Sequence, residues 1–288
     1  MNTDTTQISA NTQNLKAIIF DWAGTIVDFG CHAPMAAFVK LFLLSDITIS
    51  ISDAREPMGL PKWDHIEAIC RLSHVDSQWQ EKFGRSADQS DIDRLYQEFI
   101  PINAESILHH SQLIPGFVEL QQSLRNQGYK LGTTTGYNRE LMKVLLAEVK
   151  RQGFVPDSLT CSDDLKLTRP GPFGIYKSLI DLDTWPAHHV VKVDDTVPGL
   201  LEGHHAGCWT IGVVASGNEV GLTLQEWESL SAKDKDAVRA RVKAKLESAA
   251  PDYFIDTIAE LPDVLQEINH RLMSSDPVVS MNRSQRHV

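Results

Sequence analysis

Apolar residues come in two rhythms along this chain. The first is the short unbroken run, as in Ala17-Ile18-Ile19-Phe20, β-branched and aromatic as a buried strand requires. The second is a helical recurrence that begins at Pro34, where Met35, Phe38, Val39 and Phe42 fall at i, i+3, i+4 and i+7. From there to about residue 108 the pattern stays helical. One helix is predicted to start at Ser52-Asp53-Ala54-Arg55. A second runs over 62–72 and a third over 91–108, with Ile92, Leu95, Tyr96 and Phe99 on one face. The apolar face from Met35 to Phe42 is wide enough to pack on a neighbouring element or on a second subunit.

After Pro115-Gly116 the two rhythms alternate. Helices are predicted over 117–126 (closed by Gly128), 139–152, 173–181 and 200–206. Strands are predicted over 129–134, 158–161, 189–193 and 209–214, with a last short one over 253–255. Strands alternating with helices imply an α/β fold, a Rossmann-like, doubly wound parallel sheet interrupted after its first strand by an α-helical insert. The expected organisation is a discontinuous core of residues 15–29 and 109–271 and a helical domain of 30–108. Polar, weakly patterned ends suggest a disordered lead-in over 1–14 and a flexible tail over 272–288. The stretch 229–249 is charged and helical, and reads as a solvated surface element.

Composition narrows the function classes. The chain has 288 residues, 42% apolar and 23% charged, enough for a sizeable core. Twenty-seven basic residues against 38 acidic ones give a net charge of −11. With no basic run, binding to nucleic acid or to a membrane surface is not expected. Cys31, Cys70, Cys161 and Cys208 are far apart, so neither a zinc site nor a disulfide framework is suggested. The polar N-terminus does not read as a signal peptide, and no apolar run approaches membrane-span length; a cytoplasmic location is expected.

The candidate chemistry lies at strand ends. Asp21 follows the first strand, Thr135-Gly136 the second, Arg169 sits in a loop after the third, and Asp194-Asp195 closes the fourth. In a parallel sheet these ends open on one edge, so residues distant in sequence converge. Hard carboxylate oxygens suit Mg²⁺. A hydroxyl, backbone N–H groups and a guanidinium suit phosphoryl oxygens. This arrangement resembles the haloacid-dehalogenase superfamily of phosphoryl-transfer enzymes. The resemblance implies Asp21 as nucleophile, Thr135 and Gly136 as phosphoryl-binding residues, Arg169 as their cationic partner and Asp195 as a Mg²⁺ ligand. It also implies that the helical insert is a cap domain.

Position 23 departs from the common pattern of that superfamily. Phosphatases and mutases usually place a second Asp there as general acid for an oxygen leaving group, and this chain has Ala23. A carbon leaving group activated by another route does not need that acid. Lys62, in Met58-Gly59-Leu60-Pro61-Lys62-Trp63-Asp64-His65, offers such a route, because an amine condenses with an aldehyde to give an iminium electron sink. The amine must first be neutral, and a free lysine of pKa about 10.4 is neutral in fewer than about one molecule in a thousand at pH 7. Lowering it by about 2–3 units would cost about 3–4 kcal/mol, through burial or a nearby cation such as Arg169 or His65.

Asp-Trp-Ala-Gly-Thr at 21–25, Met58-Gly59 with Lys62, Thr135-Gly136-Tyr137, Arg169-Pro170 and Asp194-Asp195-Thr196 together resemble the phosphonoacetaldehyde hydrolase (phosphonatase) family over residues 15–270. That resemblance implies cleavage of the carbon–phosphorus bond of phosphonoacetaldehyde to acetaldehyde and phosphate, with a Schiff base at Lys62 and an aspartyl-phosphate at Asp21. It implies Mg²⁺ held by Asp21, Asp195 and the Ala23 carbonyl, and a homodimer joined through the cap. Met58, Gly59, Cys31 and Tyr137 take pocket positions, His65 proton transfer, and Asp194 a supporting place behind the metal. Gly199 is a second departure, since many members carry Asp there. The competing readings are a superfamily phosphatase or mutase acting on a phosphate ester, which Ala23 disfavours, and an inactive cap-mediated binding module, which the complete residue set disfavours. The pairs His109-His110, His188-His189 and His204-His205 read as surface or packing residues, since adjacent residues do not share a face.

Overall fold

The computed structural model describes residues 14–274. The expected disordered lead-in and flexible tail therefore fall almost wholly outside the described residues. Six strands form one sheet: β1 (Ala17–Phe20), β2 (Lys130–Thr134), β3 (Ser158–Thr160), β4 (Val190–Asp194), β5 (Trp209–Val213) and β6 (Tyr253–Ile255). Their order is β3-β2-β1-β4-β5-β6, and every neighbouring pair is parallel. The order reverses at β1, which makes its carboxyl end the switch point where an open α/β sheet leaves a crevice. Phe20 lies in register with Thr133 and Val193, so Asp21, Thr134 and Asp194 leave the sheet side by side.

Six helices stand between β1 and β2, and the first five make the insert: α1 (His32–Leu44), α2 (Ile51–Arg55), α3 (Lys62–Cys70), α4 (Ser73–Phe83) and α5 (Gln89–His109). Local chemistry sets their starts. Ser50 and Asp53 form a capping box on α2, and Asp88 and Asp91 one on α5, each satisfying orphan N–H groups at a helix N-terminus. On α5, Ile92, Leu95 and Phe99 are buried, as their spacing predicts. The apolar face of α1 is spent inside the monomer. Met35, Phe38 and Phe42 are buried, and Phe38 stacks on Phe99 of α5 with ring centroids 4.4 Å apart. Of the two expected partners for this face, a neighbouring element, α5, covers Phe38.

The remaining helices follow the expected alternation: α6 (Phe117–Asn126), α7 (Arg139–Arg151), α8 (Phe173–Asp181) and α9 (Val197–Ala206) flank the strands. The short α10 (Leu224–Ser229) precedes the charged stretch expected over 229–249, which forms α11 (Ala232–Leu246), begun where the Ser231 side chain caps the Asp234 N–H. The pattern reading missed α12 (Leu261–Met273), which starts with Pro262 in its first turn and runs two residues past the expected core boundary. No described helix is long and apolar enough to cross a membrane.

The Phe38–Phe99 stack ties α1 to α5 with no exposure of either ring. Phe99→Ala is expected to cost about 3–5 kcal/mol, the range for truncating a fully buried aromatic. Equilibrium urea unfolding followed by circular dichroism measures it.

Candidate active site

Beneath the strand ends lies a cluster of buried charge. Asp21, Asp194 and Asp195 bring carboxylate oxygens within 4.8 Å of one another. Arg169, from the loop after β3, is buried beside them, with Nη2 2.9 Å from Asp21 Oδ1 and 3.3 Å from Asp194 Oδ2. Its Nη2 also donates to the carbonyl and hydroxyl oxygens of Thr134, both at 2.9 Å, and its Nε donates to Glu202 Oε2 at 3.0 Å. Lys192, fully buried on β4, lies 2.9 Å from Asp194 Oδ2 and donates to the Thr134 hydroxyl at 2.8 Å. That hydroxyl in turn donates to Glu202 Oε2 at 2.7 Å.

Asp194 and Asp195 are adjacent but differently served. Asp194 faces both cations and accepts from the N–H and hydroxyl of Thr196, at 3.0 and 2.7 Å. Burial opposes its charge, but Lys192, Arg169 and Thr196 outweigh burial and hold it below the usual carboxylate range. Asp195 has only neutral donors: Thr25 Oγ1 at 3.2 Å, the Asn218 N–H at 2.7 Å and the Cys31 thiol at 3.6 Å. Burial, then Asp21 and Asp194, push it well above the usual range. Asp21 is pushed up to about 6 by burial and Asp194, against the pull of Arg169.

Four carboxylates thus face two fixed cations, Arg169 and Lys192, which leaves two negative charges unbalanced in a buried site. That excess, offered by hard oxygen donors, fits a divalent cation such as Mg²⁺. Asp21, Asp195 and the Ala23 carbonyl are the groups that would hold it.

A cavity of about 20 Å³, room for about one water, sits over this cluster. It is lined by Asp21 and Ala23 from β1 and its turn, Thr135, Gly136 and Tyr137 after β2, Arg169 and Thr196, and by Met58, Gly59 and Lys62 from the helical insert. Lys62 is the first residue of α3 and is 4% exposed. Its Nζ lies 3.6 Å from Met58 Sδ, 5.2 Å from the Tyr137 ring centroid and 5.6 Å from that of Phe38. Burial lowers its pKa to about 8, with Arg169 adding to the shift and Cys31 and Asp21 opposing it. About one lysine in ten is then neutral at pH 7.

A model of the haloacid dehalogenase-like hydrolases matches residues 15–207. A phosphonoacetaldehyde hydrolase of Vibrio cholerae is 46% identical over 264 residues, which span 91% of this chain and 97% of that protein. The corresponding protein of Bordetella pertussis is 43% identical over 90% of this chain and 94% of its own length. The chain belongs to the phosphonoacetaldehyde hydrolase family of haloacid dehalogenase-like hydrolases. A crystal structure of a phosphonoacetaldehyde hydrolase-like protein from Oleispira antarctica superposes with a TM-score of 0.90 at 39% identity, covering 91% of this chain and 95% of that one. A β-phosphoglucomutase from Clostridium difficile shares the fold, with a TM-score of 0.66 at 17% identity over 90% of this chain and 99% of that one.

As a member of the phosphonoacetaldehyde hydrolase family the chain is an enzyme, and most of the residues singled out in the sequence meet at one cavity. Asp194 and Asp195 lie in the cluster beneath it, and Cys31 and His65 also stand back from it. Cys31 is buried beneath, its thiol on Asp195, and burial keeps that thiol protonated. His65 is fully buried one turn behind Lys62, stacked on Phe38 at 4.0 Å, with Nε2 2.9 Å from the Ala54 carbonyl. A carbonyl only accepts, so Nε2 carries the proton and Nδ1 is bare. Burial and Lys62 hold the ring neutral, so His65 is not the cation that lowers Lys62.

Sequence reasoning missed Lys192, Glu202 and Thr134. A lysine inside Val190-Val191-Lys192-Val193 was the available signal, because a central parallel strand is covered on both faces and has no solvent side for a charge. Small residues near the acids also acquire a reason. Gly24 has φ +86°, and a Cβ there would lie 2.4 Å from Asp195 Oδ2. At Gly199 a Cβ would lie 2.0 Å from Asp194 Oδ2 and 2.2 Å from its Cγ. The carboxylate of Asp194 therefore fills the volume a side chain at 199 would need, so Gly199 is what leaves room for Asp194. Gly199→Asp alone is expected to destabilise the fold by about 1–3 kcal/mol through overpacking. Combined with Asp194→Gly, it should recover most of that loss; thermal unfolding of the single and double variants checks this.

Proposed function

We propose that this enzyme hydrolyses the carbon–phosphorus bond of phosphonoacetaldehyde, giving acetaldehyde and phosphate. The observation that carries the reading is Lys62, a buried amine with a pKa of about 8, sharing a cavity with Asp21 where Ala23 replaces a general acid. The names and identities of the relatives support the same substrate.

On this reading neutral Lys62 adds to the aldehyde, loses water and leaves an iminium. Asp21 attacks phosphorus in line, and the carbon–phosphorus bond pair flows into the iminium to give an enamine. Direct cleavage would instead expel a strongly basic carbanion. Protonation of the enamine carbon and hydrolysis of the resulting iminium release acetaldehyde and Lys62. Water then attacks the aspartyl-phosphate and releases phosphate. Thr135, Gly136 and Arg169 bind the phosphonate oxygens. A divalent cation, Mg²⁺ by its fit to the donor set, would supply charge neutralisation between Asp21 and the phosphonate. Met58, Gly59 and Tyr137 shape the aldehyde side, and His65 and Cys31 support Lys62 and Asp195 from behind. Residues 30–108 act as the cap. The cavity is lined by the insert and the core together, so parting of the two would admit substrate. The enzyme works as a homodimer joined cap to cap.

Borohydride added with phosphonoacetaldehyde is expected to inactivate the enzyme and leave a two-carbon adduct on Lys62, read by peptide mass spectrometry. Lys62→Ala should lose at least about a thousandfold in kcat, in keeping with loss of covalent catalysis. A label elsewhere, or turnover of sugar phosphates but not of the phosphonate, would reject the reading.

The pH profile follows from Lys62. Its folded value lies below that of free lysine, and the neutral form is the nucleophile, so activity rises with pH. Between pH about 6, where Asp21 ionises, and about 8, kcat/KM should climb about tenfold per unit and then level, whereas an unperturbed lysine would keep climbing toward about 10.4.

A further inference from the structure

We propose that Arg55 is a positioning residue that acts through Asn218 on Asp195 and so couples docking of the helical insert to the strength of cation binding. The inference rests on the reading of Asp195 as a cation ligand. Arg55 closes α2 and reaches across to the core. Its Nη1 donates to the carbonyls of Gly30 and Asn218, each at 2.8 Å, and to Asn218 Oδ1 at 3.2 Å. Asn218 answers with Nδ2 to the Arg55 carbonyl at 3.2 Å and to Glu219 Oε1 at 3.0 Å. The Asn218 backbone N–H is the 2.7 Å donor to Asp195 Oδ2. No carboxylate lies within ion-pair distance of Arg55 among the described residues. This guanidinium is directed at carbonyl oxygens, which fixes geometry rather than balancing charge.

The loop that carries Asn218 explains why a pin is needed. Its first residues continue the sheet ladder, Val214 and Ala215 donating to Ile255 and Asp256. Beyond that point it has no regular structure. Ser216 donates from Oγ to the Gly24 carbonyl at 2.7 Å and accepts from the Gly30 N–H at 2.8 Å. Gly30 lies on the connection from β1 to the insert. The loop is therefore held by the nucleophile turn on one side and by Arg55 on the other, with Asp195 between them. When the insert lifts away, Arg55 leaves with it, and Asn218 loses the contacts that aim its N–H.

The test is Mg²⁺ titration by calorimetry without substrate on wild type, Arg55→Ala, Asn218→Ala and the double variant, with thermal unfolding and kcat against Mg²⁺ concentration alongside. Asn218→Ala keeps the backbone N–H and the Arg55 bond to the backbone carbonyl, and removes the side-chain contacts to Arg55 and Glu219. Each single variant is expected to bind Mg²⁺ about ten- to a hundredfold more weakly, as loss of ligand support does. The double variant should be little weaker than either single one, because the two residues form one path. Raised Mg²⁺ should restore activity. A purely structural role would lower the melting temperature and leave the affinity unchanged, which would overturn the proposal. Should Arg55→Ala not fold, Asn218→Ala decides alone by the same criterion. A wild type that binds no Mg²⁺ removes the cation reading of Asp195, and this inference with it.

Discussion

The structure is organised around an imbalance of buried charge. Asp21, Asp194, Asp195 and Glu202 converge under the end of β1 and its neighbours, with only Arg169 and Lys192 set against them. Water cannot screen the excess there, and each group answers according to its partners. Asp194, wedged between both cations and Thr196, keeps its charge; Asp195, with neutral donors only, does not do so on its own. The Thr134 hydroxyl is the hub, accepting from Arg169 and Lys192 while donating to Glu202. Removing Arg169 or Lys192 would leave buried carboxylates without their counterpart, a far larger penalty than losing a surface ion pair. The small residues Gly24 and Gly199 are consequences of the same crowding, because carboxylates occupy the space their side chains would take.

Much of this was legible in the sequence where the chemistry sits at a boundary. Asp21, Thr135, Arg169 and Asp195 each follow a strand, and parallel topology alone brings such ends together. The pair Ala23 and Lys62 was legible as a departure from pattern. What escaped was chemistry inside regular elements. Lys192 reads as one polar residue in a strand and Glu202 as one exposed position on a helix, and only the tertiary structure shows both turned inward. The helix α12 escaped because Pro262 reads as a breaker, although at a first turn proline costs nothing. The face of α1 was legible only as a face: periodicity shows that it is apolar and cannot say which element covers it.

Lys62 and Asp21 illustrate a further limit. Sequence argument asked for an amine made nucleophilic by burial or by a neighbouring cation and named Arg169 and His65 as sources. In the fold, burial leads and Arg169 assists, while His65 is itself neutral for the same reason Lys62 is softened. The magnitude depended on how completely α1, α3 and the Tyr137 turn enclose one ammonium group, and no spacing rule encodes that enclosure.

The two reactive side chains also belong to different parts of the chain: Asp21 stands on the sheet, Lys62 on the insert. Under the proposed chemistry the substrate becomes a temporary strap between them, bonded at one end to a helix and held at the other by the sheet. While the carbon–phosphorus bond is intact, opening would pull the phosphonate out of its contacts on the sheet. Once that bond breaks, the two-carbon fragment rides on one part and the phosphoryl group on the other. Opening then carries the fragments apart, and the reverse reaction would have to bring two separately tethered pieces back into line. The placement of two residues on opposite sides of one small cavity would thus give the cycle its direction as well as its chemistry.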